Sequence, residues 1–146
     1  AGPHRLESAG HVGVPQVVVP GCVDFVVDGP LEKIQAKWPG RRFYPDNPIF
    51  TLIRTTSEEL EILAQQMAKK LNASKGPVTL VFPMKGLSKA NRPGTAIYDP
   101  EVDSAFLMSL KAQVGEQVRV VEVDANINDP QFAEALVSEF IRIVST

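Results

Sequence analysis

Residues 78–89 read VTLVFPMKGLSK, and this stretch decides the fold. Five apolar or β-branched residues run into Pro83, and a polar, glycine-containing loop follows. A run apolar on both alternations, or nearly so, belongs to a parallel strand covered on both faces. The same pattern recurs at 16–19 (QVVV) and 118–123 (VRVVEV).

Amphipathic segments lie between and around these runs. Leu60, Leu63, Ala64, Met67, Ala68 and Leu71 share one face of a helix expected over 57–71. Thr56-Ser57-Glu58-Glu59 marks its start as a capping box. Asp99-Pro100 and Asp129-Pro130 open two more helices, each with aspartate as N-cap and proline at the first helical position. A short helix is expected over 3–9. Alternating helices and strands imply a parallel sheet with right-handed crossovers. The reading is an α/β chain, a Rossmann-like layer fold with a mainly parallel sheet and helices on both faces. Residues 20–56, rich in glycine and proline, read as a long irregular connection, with FTLIRT (50–55) as an edge strand.

Composition bounds the function classes. The 146 residues suit a single α/β domain over 1–146. Lys and Arg total 15 against 17 Asp and Glu, a net charge of −2, so nothing draws the chain to nucleic-acid phosphates. No apolar stretch approaches the ~20 residues needed to span a bilayer. One cysteine forms no internal disulfide, which with no secretory signal points to a cytoplasmic setting. The chain starts at Ala1 rather than methionine, and is expected to be a fragment of a longer two-domain protein.

Parallel sheets bind ligands beyond the carboxyl ends of their strands. Three segments are expected there: Pro20 to Asp24, Pro83 to Lys89, and Asp124 to Asp129. The ligand-binding residues expected are Gly21, Cys22, Asp24, Asn47, Arg54, Thr55, Lys85 and Asn128. Glycine lets a ligand approach the backbone. Asp24 would accept from hydroxyls, and Arg54 with Lys85 would neutralise an anion. Asp124, Asn126 and Asn128 on one loop also suit a sugar hydroxyl. Cys22 equally suits a small apolar side chain, and Asp24 a turn former. GxxxxGK[ST] and GxGxxG are both absent, and the two histidines lack a well-spaced third metal ligand. No catalytic residue is identified.

Four phrases carry a family resemblance: GPHRLESAGHVGVPQVVVPGCVDFV (2–26), GRRFYPDNP (40–48), LIRTTSEE (52–59) and NINDPQFAEA (126–135). Together they resemble the C-terminal domain of the poorly characterised ATP-binding-protein family that includes the tomato mosaic virus resistance protein. The resemblance implies a two-domain α/β protein whose ATP-binding label belongs chiefly to an N-terminal domain. It also implies that sheet-forming residues precede the block seen here. Where that family often carries a histidine before the asparagine of its NP motif, this chain has Asp46.

The leading expectation is a domain that binds a small anion or a nucleotide, paired with a partner domain or with copies of itself. An enzyme domain of hydrolase or lyase type, using Asp24 or Cys22, is the second reading. A protein-interaction module without its own ligand is the third.

Overall fold

The computed structural model describes residues 2–145. In chain order the elements are α1 (Ser8–Val12), β1 (Gln16–Val18), β2 (Phe25–Asp28), α2 (Leu31–Ile34), β3 (Phe43–Pro45) and β4 (Thr51–Arg54). They continue with α3 (Ser57–Asn72), β5 (Val78–Pro83), α4 (Pro100–Gln113), β6 (Val118–Val123) and α5 (Pro130–Val144).

β1, β5 and β6 form the expected parallel sheet in the order β1-β5-β6. β5 is central, and all six of its residues are buried. Both crossovers step the same way across the sheet, so right-handed connection sets α3 and α4 on one face, packed on each other. α5 covers the other face, against β1 and β5. Period-two alternation along β5 feeds two cores. Val78, Leu80 and Phe82 join Leu60, Met67 and Phe106 under α3 and α4. Val81 joins Val123, Ala125 and Phe132 under α5. The chain therefore has the Rossmann-like layering expected from its periodicity.

Two expectations about the first third need correction. Residues 20–56 are mainly turns and loops, as expected, but they also hold a second, antiparallel sheet in the order β2-β4-β3. FTLIRT is not an edge strand, since β4 is the middle of that sheet and all four of its residues are buried. The short helix is also displaced. The chain turns through 3–7, Leu6 takes a positive φ of 70°, and the helix begins at Ser8. A left-handed leucine interrupts helical hydrogen bonding, so the turns before it cannot join α1.

Helix starts follow the local code in two cases of three. Thr56 Oγ1 accepts from Glu59 N at 3.2 Å, and Glu59 Oε2 accepts from Thr56 N at 2.9 Å. Asp99 accepts from Val102 N at 3.2 Å. Asp129 departs from the expectation, since its side chain makes no cap bond to α5. Its Oδ2 accepts from Asn126 N at 2.8 Å instead. Thr56→Ala is expected to cost about 1 kcal/mol in urea denaturation, with no effect on ligand binding. Unchanged stability with lost ligand binding would reassign Thr56 to a site.

Candidate ligand-binding rim

The loops that follow β1, β5 and β6 meet at one end of the sheet because the three strands run the same way. Backbone bonds join them: Cys22 N donates to Leu87 O at 2.8 Å and Lys85 N to Ala125 O at 3.0 Å. Asn126 adds a side-chain knot, its Nδ2 donating to Ser88 O at 3.0 Å and Asn91 O at 3.2 Å. Gly21 sits so close to Ile127 that a Cβ there would lie 2.7 Å from Ile127 Cδ1.

A buried ionic network underlies the rim. Asp24 is 0% exposed and Arg54 is 3% exposed. Arg54 Nη2 donates to Asp103 Oδ1 at 2.5 Å, and Arg54 Nη1 lies 3.8 Å from Asp24 Oδ2. Ser88 Oγ donates to Asp24 Oδ2 at 2.7 Å, and Asn91 Nδ2 donates to Asp103 Oδ2 at 2.7 Å. Two carboxylates thus share one guanidinium away from water. Burial pushes the Asp103 carboxyl above its ordinary range and Asp24 adds to this, while Arg54 and Asn91 pull the other way. Asp24 comes from the loop after β1, Arg54 ends β4, Asp103 lies on α4, and Ser88 and Asn91 lie in the loop after β5. The network therefore ties the second sheet to the rim.

The expected site residues divide three ways. Gly21, Cys22, Lys85 and Asn128 stand at the rim. Asp24, Arg54 and Thr55 lie beneath it, with Thr55 Oγ1 donating to Val23 O at 2.8 Å. Asn47 lies apart, at the other end of β4 from Arg54, where its Oδ1 accepts from Ile49 N and Phe50 N, both at 2.9 Å. Cys22 is exposed with a positive φ of 56°. Burial around the sulfur, then Asp24, push its thiol up, which keeps it a poor nucleophile at neutral pH.

Among the exposed cations of the rim loops, Lys85 and Arg92 each hold a surface carboxylate. Lys85 Nζ lies 2.8 Å from Asp124 Oδ2, and Arg92 Nη2 lies 3.3 Å from Asp129 Oδ1. Arg92, Asn91 and Asp103 were not among the residues expected from sequence. Asp103 carries a readable signal, because it shares its helix face with Phe106, Leu107 and Leu110, all buried. Arg92 carries none, since it lies in a loop with no periodicity.

Comparison with known proteins places the chain in a family. Residues 1–144 match the C-terminal domain of the uncharacterised protein family UPF0261. A UPF0261 protein of Clostridium tetani is 39% identical over 145 residues, covering 99% of this chain and 36% of the relative. A UPF0261 protein of Brucella melitensis is 32% identical over 145 residues, covering 99% of this chain and 35% of the relative. The ToMV resistance protein Tm-1(GCR237) of Solanum lycopersicum is 34% identical over 132 residues, covering 89% of this chain and 18% of that protein. The chain thus spans little more than a third of its bacterial relatives, and less of the plant one. The chain belongs to the UPF0261 family, in which it is a C-terminal domain.

Proposed function

We propose that this domain binds a small anionic ligand of nucleotide-like chemistry at the rim. The observation that carries the reading is the meeting of three strand-end loops, joined by Asn126 and by the Cys22 N–Leu87 O bond, with the exposed cations Lys85 and Arg92 on one of them. Open parallel sheets place ligands at this end. A phosphate or carboxylate would displace the exposed Asp124 from Lys85, at little cost because a solvated ion pair is weak. Asp124 and Asn128 are then available to ligand hydroxyls. Arg54 supports this from below by fixing loops rather than by touching the ligand, since it is buried against Asp103. A covalent role for Cys22 is disfavoured by its raised thiol pKa.

The test is a thermal-shift screen followed by calorimetry, using pyrophosphate, AMP, ATP and citrate at millimolar concentration. At least one is expected to raise the melting temperature. Lys85→Ala and Arg92→Ala are each expected to weaken its binding about tenfold, as loss of a charge-assisted hydrogen bond does. The reading fails if none of the four shifts the melt, or if both variants bind as tightly as the parent.

A further inference from the structure

Three polar atoms of the buried network have no hydrogen-bond partner within the protein: Asp24 Oδ1, Arg54 Nε and Asn91 Oδ1. Their residues are 0%, 3% and 0% exposed. Among the described residues the one other such atom is Thr51 Oγ1, at the far end of β4 from Arg54. Buried polar groups are bonded in all but a few cases, so three orphans in one network need an explanation.

Each orphan is the second atom of a group whose first atom is already fixed. Asp24 Oδ2 accepts from Ser88 Oγ at 2.7 Å, and Arg54 Nη2 donates to Asp103 Oδ1 at 2.5 Å. Asn91 Nδ2 donates to Asp103 Oδ2 at 2.7 Å. The groups cannot turn to meet one another without giving up a bond they hold. The orientation of Asn91 is set too, because an ionised carboxylate only accepts, so the amide turns its nitrogen to Asp103 and its oxygen away. Arg54 Nη1 and Asp24 Oδ2 stand 3.8 Å apart, too far for a direct hydrogen bond and a spacing at which water commonly mediates.

We infer that internal water completes this network, donating to Asp24 Oδ1 and Asn91 Oδ1 and accepting from Arg54 Nε. The chemistry of the three atoms selects it. They are two acceptors and one donor, set among two carboxylates and one guanidinium. A metal cation would suit the two oxygens and stand against the Arg54 N–H. Chloride would suit that N–H and face Asp24 and Asp103. An added proton would supply one donor and leave Arg54 Nε unmet. Water has two O–H donors and two lone pairs, so it meets all three, as buried waters do at polar sites of this kind. A pocket of about 180 Å³ gives it access, since Arg54 and Thr55 line that pocket together with Arg42, Ser57 and Asp99. The joint between the second sheet and the rim is then hydrated rather than dry, whether or not the rim takes an anion.

Nuclear magnetic resonance on this chain tests it, with the Arg54 Nε–H and the Asn91 amide protons as reporters. Both should show cross-peaks to water, of opposite sign in the laboratory and rotating frames, which marks a held water rather than proton exchange. Cross-peaks missing from both reporters overturn the proposal. Ser88→Ala removes the hydroxyl that bonds Asp24. The Arg54 cross-peak should survive it, and its loss would show relay through that hydroxyl and overturn the proposal. If Ser88→Ala does not fold, a high-resolution crystal structure of the parent decides. Arg54 Nε, Asp24 Oδ1 and Asn91 Oδ1 should each have a water oxygen at about 2.7–3.2 Å. A cation within about 2.6 Å of Asp24 Oδ1, or side chains re-paired directly with one another, overturns it.

Discussion

Arg54→Met is expected to destabilise the domain by about 3–5 kcal/mol, more than any single loss on the surface. The substitution keeps the side chain's length and removes the charge that two buried carboxylates share. Asp103 loses a 2.5 Å partner, and Asp24 is left with Ser88. The effect carries a pH signature. Burial already holds Asp103 above its ordinary range in the presence of Arg54. Without the guanidinium its folded-state pKa rises further above the unfolded value. A raised carboxyl pKa favours the fold below the unfolded pKa, near 4, and that advantage is lost as pH rises through the folded pKa. The deficit of the variant should therefore be largest at neutral pH and shrink toward pH 4. Urea titrations at pH 4, 5.5 and 7 measure it, and a deficit under about 1 kcal/mol at pH 7 would mean the carboxylates are not held by Arg54. Combining Arg54→Met with Asp103→Leu should recover part of the loss, because a buried pair replaced by apolar groups is tolerated better than one left half-paired.

Gly86→Ala is expected to cost about 3 kcal/mol and to loosen the rim. Gly86 has a φ of 129°, and a Cβ there would lie 2.1 Å from Asn91 O and 2.6 Å from Asn126 Nδ2. The methyl group would drive apart the loops after β5 and β6, which Asn126 joins. Labelling of Cys22 by a thiol reagent should quicken, since Cys22 N is bonded to Leu87 O in the displaced loop. Gly94→Ala is the control, because Gly94 also has a positive φ, 89°, but open space around it. It should cost only about 1 kcal/mol of backbone strain. Equal costs at the two positions would show that the loop yields to the methyl group and that the rim is not rigid.

The parts of the fold legible in sequence are those whose signal is local and repeated. β5 and β6 are six residues each, and α3 and α5 repeat an apolar face over four turns. The second sheet lacked such a signal. Its strands are three or four residues long, and β2 pairs with β4 across α2 and β3 rather than with its neighbour in sequence. Strands that short show too little alternation to separate from a loop rich in proline and glycine. The rim was legible because parallel connectivity fixes which loops share an end of the sheet. The place of Arg54 was not, because its meaning depends on Asp103, 49 residues away on a helix. An arginine reads the same in sequence whether it faces an anion or a buried aspartate.

A groove beside β1 rises past Val19 to Pro20 and Gly21, so its upper end is part of the rim. Anything that docks in the groove would stand next to Gly21. The two events then become thermodynamically linked: if docking tightens the ligand by some factor, the ligand tightens docking by the same factor. Where that factor exceeds one, an affinity measured with the groove open understates the one reached with the groove filled.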